Sequence, residues 1–275
     1  MKKLSLTIGL LGLSLALVAC GSQNNDAKAT EKKQDKVIKV ASQTTPMTDV
    51  VEVAAKEAKK EGWTIELVQV NDNIQYNELL KNKEVDANFA QHEPFMAKFN
   101  EEKNANLVLI QKIYNAKVGF YSKDYQSIEE IPNGMKVAIP NDVSNEGRAL
   151  AILEEEGLIE LKEGVGFQGT LKDIVKNDKE LEFLSVDLLN LAEAYNEKNV
   201  ALVYNYPTYI AKIGLKPSDA LFLEKNVDER FAISLVARED NQDSEKIKVL
   251  KKAMTSQAVK EFLEQEHSET LVPAF

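Results

Sequence analysis

The sequence predicts an α/β fold made of two lobes, preceded by an N-terminal segment of different character. Short apolar runs alternate along the chain with segments of helical periodicity, which is the pattern of α/β proteins. Hydrophobic residues make up 44% of the 275 residues and charged residues 28%, a composition typical of folded domains. About 240 residues follow the N-terminal segment, and this length favours two lobes over one.

The predicted elements follow in order from local patterning. Apolar or alternating runs predict strands at 37–40, 63–70, 85–89, 107–113, 117–122, 136–139, 182–186, 200–204 and 233–237. Helical texture predicts helices over 50–60, 75–81, 144–156 and 244–264. Gly62 and Gly157 are suited to end the first and third of these helices. Because strands alternate with helices, we expect largely parallel sheets.

The first twenty residues have the pattern of a secretory signal. Two lysines give a positive start, and the apolar run 4–18 is too short to span a membrane, which takes about 20 residues. The sequence L-V-A-C-G at 17–21 resembles the bacterial lipobox, in which the cysteine becomes the lipid-bearing first residue. We therefore expect a lipoprotein signal peptide at 1–19 and lipidation of Cys20. The alternatives are an uncleaved anchor and an ordinary secretory cut.

A polar tether is expected between this cysteine and the folded part of the chain. Residues 22–36 include no apolar side chain larger than alanine, so they bury too little surface to fold. Residues 20–36 are therefore predicted to be the lipidated Cys20 followed by a flexible tether. The expected location is the extracytoplasmic face of the cell membrane, to which the lipid anchors the protein.

Composition and motifs exclude several classes of function. The net charge is −10, with 34 basic and 44 acidic residues, which argues against nucleic-acid binding. One cysteine rules out an internal disulfide, two histidines are too few for a three-histidine zinc site, and we expect no metal and no cofactor. The sequence has no G-x-S-x-G, H-E-x-x-H or phosphate-binding loop. We therefore expect no enzyme, and a hydrolase that uses His92 is the alternative.

The segment 86–96 concentrates polar and aromatic side chains in a predicted strand-to-helix loop. It includes Phe89, Gln91, His92 and Phe95. In α/β proteins, ligand groups gather at the carboxyl ends of the strands. We therefore expect these residues to line the wall around a ligand's side chain. The alternative is a core-lining turn in which the histidine is satisfied by the protein itself.

A second junction follows the predicted strand at 136–139. The helix after it is expected to be capped by Ser144, and free N–H groups at a helix N-terminus suit a carboxylate. Asn145 lies in the first turn, and Arg148 follows one turn later, near enough to pair with the same carboxylate through two N–H groups. The alternative is a surface arginine paired with a nearby glutamate.

Several motifs resemble those of the methionine-binding lipoproteins of ABC importers, the NlpA lipoprotein family. They include V-D-A-N-F-x-Q-H-x-P-F at 85–95, I-P-N-G-M-K-V-A-I-P-N-D-x-S-N-x-G-R-A-L at 131–150 and G-L-K-P-x-D-A-L at 214–221. The chain also ends in V-P-A-F at 272–275, as the family does. The resemblance runs from about residue 37 to the end of the chain.

The resemblance implies a two-lobed periplasmic-binding-protein-like receptor of type II, with a ligand cleft between its lobes. Lobe one would comprise 37–118 plus 232–275, and lobe two would comprise 119–231. Such a receptor closes on methionine or a related ligand and delivers it to a membrane permease and its ATPase. By resemblance, Arg148 and Asn145 hold the amino-acid head group. We expect a monomer.

The resemblance also implies a role for Phe89, Gln91 and His92 near the side chain of the ligand. Several positions depart from the family pattern, which has an aromatic residue at Asn73 and a second Phe at Ala90. Where the family has N-G-N-Y-A, this chain has N-Y-P-T-Y at 205–209, so that the family's polar Asn becomes Thr208 or is shifted to Asn205. A further family Asn is replaced by Ala232 or Ser234. We therefore expect methionine, a related amino acid or a small peptide as ligand. An adhesin of the same fold, with another ligand or none, is the alternative.

Overall fold

The structure, a computed structural model, describes residues 35–275. The predicted signal peptide, Cys20 and nearly all of the tether lie outside the described residues. The strands are β1 (Val37–Ser42), β2 (Thr64–Gln69), β3 (Ala87–Gln91), β4 (Leu107–Ala116), β5 (Gly119–Tyr121), β6 (Lys136–Pro140), β7 (Glu160–Leu161), β8 (Ile174–Lys176), β9 (Glu182–Val186), β10 (Val200–Asn205), β11 (Phe222–Leu223), β12 (Ile233–Arg238) and β13 (Leu271–Pro273). The helices are α1 (Met47–Lys60), α2 (Gln75–Lys81), α3 (Glu93–Lys103), α4 (Val143–Glu155), α5 (Pro207–Ile210), α6 (Glu245–Met254) and α7 (Gln257–Glu266).

Two larger sheets organise the described part of the chain. One has six strands in the order β13-β4-β12-β3-β1-β2, and the other has five in the order β11-β5-β10-β6-β9. The short strands β7 and β8 pair separately. Each larger sheet forms the centre of one lobe, so the predicted α/β fold with two lobes and a cleft between them is confirmed.

The prediction of largely parallel sheets is wrong, because both sheets are mixed. β1 runs parallel to β2 and β3, and β6 runs parallel to β9 and β10. β12 runs antiparallel to β3 and β4. β4 carries the chain out of the six-stranded sheet and β12 carries it back from the other sheet. The two strands therefore run in opposite directions where they pair.

The chain passes between the sheets twice, between β4 and β5 and between β11 and β12. We keep the lobe boundaries 37–118 plus 232–275 and 119–231 as a proposal.

The helices cover the sheets with amphipathic faces. In α1, the side chains of Val50, Val51, Ala54 and Ala58 are buried at helical spacing, while the lysines between and after them are solvated. The predicted helix 244–264 is two helices, α6 and α7. They separate at Thr255–Ser256, because the Ser256 side chain accepts the N–H of Val259 and starts a new helix.

Two predicted junctions are shifted by a few residues, with consequences for the cleft. Asp142, and not Ser144, caps α4, since its carboxylate accepts the N–H of Asn145 at 3.0 Å. The segment 86–96 is not a loop, because β3 continues to Gln91 and His92 caps α3 directly.

In residues 35–275 no helix is both long enough and apolar enough to cross a membrane.

Candidate functional site

A cavity of about 40 Å³ lies in the cleft between the two sheets. It is lined from both sides, principally by Tyr76, Gln91, His92, Phe95, Tyr114, Asn145, Leu188, Tyr206 and Tyr209. By this measure one water needs about 10–15 Å³, so the cavity has room for a few waters. A ligand of amino-acid size therefore requires the lobes or the lining side chains to move apart.

His92 connects the two sides of the cleft. Its Nδ1 accepts the backbone N–H of Phe95 at 3.2 Å, so the ring hydrogen is on Nε2, which donates to Oδ1 of Asn145 at 3.2 Å. Burial, and secondly the positive charge of Arg148, lower the pKa of His92 to about 4. The ring is therefore neutral at pH 7, and both of its nitrogens are hydrogen-bonded within the protein.

Asn145 is hydrogen-bonded through every atom of its side-chain amide. Its Nδ2 donates to the two carboxylate oxygens of Asp142 at 3.1 and 3.0 Å. Its Oδ1 accepts from the hydroxyl of Tyr206 at 2.7 Å and from His92. An asparagine amide has two donors and two acceptor positions. Asn145 therefore lines the cavity with each polar atom of its amide already hydrogen-bonded within the protein.

Arg148 is fully buried and lies behind the cavity wall. Its Nε and Nη2 donate to the two carboxylate oxygens of Glu224, and its Nη1 donates to the hydroxyl of Tyr206 at 3.1 Å. Neither Arg148 nor Glu224 lines the cavity, and their side chains are 0% and 2% exposed. The two-pronged pairing that the sequence predicts for a ligand carboxylate is made here with Glu224. Tyr206 lines the cavity and accepts a hydrogen bond from Arg148, so Arg148 acts on the cavity through the Tyr206 hydroxyl.

Aromatic rings pack around this polar group. The ring of Phe231 lies 4.4 Å from the guanidinium carbon of Arg148 and 5.1 Å from the ring of His92. Phe167 packs on Phe231 with ring centres 5.1 Å apart. This approach needs Gly147 in α4, because a Cβ there would overlap the carbonyl oxygen of Phe167. Arg148 and His92 are 0% and 3% exposed, so these rings help to shield both side chains from bulk water.

The other residues predicted in 86–96 divide between the cavity wall and its support. Gln91 lines the cavity and is held by a buried amide network with Asn77 and Asn88. Phe95 lines the cavity directly. Phe89 does not line it and instead packs edge-on against Tyr114 at 5.8 Å.

Two predicted ligand residues lie away from this cavity. Ser144 donates to Asp142 at 2.9 Å and lines a separate surface groove between α3 and α4. Asn205 is fully buried at the end of β10, and its amide nitrogen and oxygen have no hydrogen-bond partner in the described residues. It does not line the cavity, whereas the next residue, Tyr206, does.

The positions that depart from the family pattern lie mostly in the cavity wall. Asn73, Ala90 and Thr208 all line it, and Ala232 is buried elsewhere. Asn73 Oδ1 accepts a hydrogen bond from the Gln43 amide at 3.1 Å. Gln43 also accepts the hydroxyl of Tyr209 at 3.2 Å, which makes a second hydrogen bond across the cleft besides that of His92.

Sequence reasoning missed Glu224 and did not assign the tyrosines of the cavity to the site. Glu224 follows a short edge strand in a segment without any binding motif, and only the fold brings it to Arg148. Tyr76, Tyr114, Tyr206 and Tyr209 are buried, so their spacing resembles that of ordinary core residues. The signal in the sequence that points to these tyrosines as site residues is the number of them that fall close to predicted strand ends.

Comparisons with known proteins agree with this geometry. The family model described as NlpA lipoprotein matches residues 38–275. A curated relative, the D-methionine-binding lipoprotein MetQ of Salmonella typhimurium, is 37% identical over 256 residues, which cover 92% of this chain and 91% of the relative.

Two solved structures are also similar to this chain. A lipoprotein of the YaeC family from Enterococcus faecalis is 50% identical, with a TM-score of 0.79, and the match covers 88% of this chain and all of that one. A nutrient-binding protein from Burkholderia cenocepacia, solved with methionine bound, is 33% identical with a TM-score of 0.82; the match covers 86% of this chain and all of that one.

Proposed function

The chain belongs to the NlpA lipoprotein family, and we propose that it is the substrate-binding protein of an ABC importer. Its ligand is methionine, a related amino acid or a small peptide. The observation that carries this proposal is the aromatic cavity in the cleft, with an asparagine, a tyrosine and a buried arginine at one side. A relative and a structural neighbour are named for methionine or contain it.

The carboxylate of the ligand is recognised by the group around Arg148. Tyr206 and Asn145 are the members that reach the cavity, and Arg148 lies behind Tyr206. When a carboxylate enters, the Tyr206 hydroxyl turns from Asn145 to donate to it, while Arg148 continues to donate to the same hydroxyl oxygen. A hydrogen bond to a charged acceptor is stronger than the neutral one that it replaces.

The ligand's side chain lies against the apolar part of the cavity. Phe95, Met47 and Ile233 line that part, and Phe89 supports it from behind through Tyr114. A thioether is polarizable and packs well against aromatic rings, which suits a methionine side chain. Gln91 and Asn73 supply the polar edge of this wall.

Binding closes the lobes, and no reaction follows. His92 has a hydrogen-bond partner on each ring nitrogen, a backbone N–H and an asparagine amide, so neither nitrogen faces a hydroxyl nucleophile.

The lipidated Cys20 holds the receptor on the extracytoplasmic face of the membrane, where a permease and its ATPase accept the ligand from a monomeric receptor. Labelling with radioactive palmitate tests the anchor, since Cys20→Ala is expected to lose the label.

Thermal unfolding of the full chain tests the ligand proposal. Resident ligand is first removed by unfolding and refolding, and L- and D-methionine, other amino acids and methionine-containing dipeptides are then added singly. A ligand at about 100 times its Kd adds about 2.7 kcal/mol to stability, which raises Tm by roughly 5–10 °C at this size. No shift with any member of the panel would overturn the proposal.

A matched variant assigns the shift to this cavity. Arg148→Ala alone leaves Glu224 buried and unpaired, so its folding is at risk. The double variant Arg148→Met, Glu224→Leu removes both charges, and replacement of a buried ion pair by apolar residues is often neutral in stability. We expect this variant to unfold near the parent temperature and to show a clearly smaller ligand shift than the parent.

A further inference from the structure

Two tyrosine hydroxyls of the cavity have no protein partner. Tyr76 in α2 and Tyr114 in β4 both line the cavity, and they are 2% and 1% exposed. Within residues 35–275 neither hydroxyl takes part in a hydrogen bond. Neither hydroxyl is among the fully enclosed unpaired side-chain atoms of the described residues, and both tyrosines line the cavity. Two unpaired hydroxyls in one cavity point to a ligand group to which they can donate.

Other polar residues of the cavity differ in this respect. His92, Asn145 and Tyr206 are joined to one another, and Tyr209 is paired with Gln43. Their hydrogen-bonding capacity is used within the protein before any ligand enters. The hydroxyls of Tyr76 and Tyr114 have no such partner, and the Asn73 amide nitrogen and the Thr208 hydroxyl, which also line the cavity, donate no hydrogen bond either.

The surroundings of these two hydroxyls define what they can bind. The ring of Tyr76 lies 6.4 Å from that of Phe95, and the ring of Tyr114 lies 5.8 Å from that of Phe89, so each ring is held in place. Burial, and secondly the nearby Tyr209, raise the pKa of both phenols well above 10, so both keep their protons. Each hydroxyl can therefore donate one hydrogen bond to the ligand.

The charge of the cavity excludes an anion at this position. No lysine or arginine lines the cavity, and its one histidine, His92, is neutral at pH 7. Arg148 is paired with Glu224 and does not line the cavity. An ionised group at the tyrosine side would be buried without a counter-ion, which is costly. An uncharged acceptor satisfies both hydroxyls without that cost.

We propose that Tyr76 and Tyr114 form a second polar subsite, which binds an uncharged acceptor oxygen in the ligand's side chain. This rests on the proposed function and narrows it, because a thioether sulfur is only a weak acceptor. The preferred ligand is an amino acid, or a small peptide of such amino acids, whose side chain carries an ether, hydroxyl or amide oxygen. A purely hydrocarbon side chain of the same length is rejected by the two unsatisfied donors.

Three amino acids of equal side-chain length test the subsite. Norleucine, methionine and O-methylhomoserine carry CH₂, sulfur and oxygen at the same position, so acceptor strength is the principal difference between them. Titration calorimetry on the full chain gives a Kd for each. We expect O-methylhomoserine to bind at least about tenfold more tightly than norleucine, because its ether oxygen accepts hydrogen bonds from the hydroxyls of Tyr76 and Tyr114. The double variant Tyr76→Phe, Tyr114→Phe is expected to abolish or reverse that ratio.

Tyr121→Phe is the matched control. Tyr121 is also fully buried with an unpaired hydroxyl, but it packs on Ala192 and Ile210 away from the cavity. We expect this variant to keep the parental ratio of affinities. If the double variant does not fold, each single variant is expected to lose part of the ratio.

The outcomes separate the subsite from the proposed function. Equal binding of norleucine and O-methylhomoserine by the parent, or a ratio that the tyrosine substitutions leave unchanged, would overturn the subsite and leave the proposed function standing. Binding of none of the three amino acids would count against both, since the subsite presupposes an amino-acid ligand.

Discussion

Arg148 donates from Nε and Nη2 to the two carboxylate oxygens of Glu224, and both side chains are buried. The pair joins α4 to the segment that follows β11, on the wall behind the cavity. Through Tyr206 it also orders the polar side of the cleft. Glu224 belongs to no recognised motif, yet it neutralises Arg148. By resemblance, Arg148 is the residue expected to hold the ligand's carboxylate.

Removal of Glu224 alone is expected to destabilise the protein strongly. Glu224→Ala leaves the Arg148 guanidinium buried without a counter-ion, and breaking such a pair costs about 3–5 kcal/mol. Urea unfolding followed by circular dichroism measures the change as a lower midpoint. Lys176→Ala is the control, since its pairs with Glu160 and Asp178 are half exposed and its loss is expected to cost less than about 1 kcal/mol. Equal midpoints for both variants would contradict the prediction.

Loss of the Tyr206 hydroxyl is expected to weaken ligand binding. In Tyr206→Phe the ring remains, but the oxygen between Arg148 and Asn145 is gone, so the carboxylate loses a charge-assisted hydrogen bond. A bond of this kind contributes about 1.5–3 kcal/mol, which predicts a roughly tenfold or greater rise in the Kd for methionine by calorimetry. Tyr195→Phe, which loses a hydroxyl outside the cavity, is expected to keep the parental Kd. A parental Kd in Tyr206→Phe would show that the hydroxyl does not contact the ligand.

The buried His92 makes stability depend on pH. Its pKa falls from 6.5 in the unfolded chain to about 4 in the folded protein, so the unfolded state binds more protons between these values. Stability from this residue is fully present above pH 6.5 and is lost as the pH falls towards 4, by about 2 kcal/mol between pH 7 and pH 5. Urea unfolding at both pH values measures the change. Between pH 7 and pH 5, His92→Gln is expected to lose about 2 kcal/mol less stability than the parent. Identical pH profiles of stability for parent and variant would contradict the assignment of this pH dependence to His92.

Gly147→Ala is expected to destabilise the protein, although helix propensity alone predicts that it stabilises α4. On helix propensity alone, Gly147→Ala would stabilise α4 by about 1 kcal/mol. The added methyl group would meet the carbonyl oxygen of Phe167, and the loop that carries Phe167 would have to move away from Phe231. We expect a net loss of about 1–3 kcal/mol, as for other overpacked sites. A higher Tm for the variant would contradict the close approach.

Much of the fold could be predicted because local patterns decide it. The strand at 182–186 and the helix at 75–81 have the predicted bounds, since short apolar runs and flanking polar residues mark them. Strand direction was predicted wrongly, because it depends on where the chain re-enters a sheet. The break between α6 and α7 was missed because a serine cap in a helical pattern is a weak signal.

The site could be predicted only in part, for a similar reason. His92, Gln91, Phe95, Asn73 and Asn145 line the cavity, because residues at strand and helix ends are placed by local structure. The pairing of Arg148 with Glu224 joins residues 76 positions apart in the chain, which spacing does not reveal. Asn205 and Ser144 lie outside the cavity, and their roles as ligand residues remain predictions.

The most direct measurement is native mass spectrometry of the full chain purified without unfolding. The spectrum is recorded before and after incubation with methionine and the oxygen-bearing analogue O-methylhomoserine. We expect an added mass equal to one amino acid or one small peptide. That mass should be less abundant in the variant Arg148→Met, Glu224→Leu. A protein that carries no such mass, and gains none on incubation with either amino acid, would contradict its assignment as an amino-acid receptor.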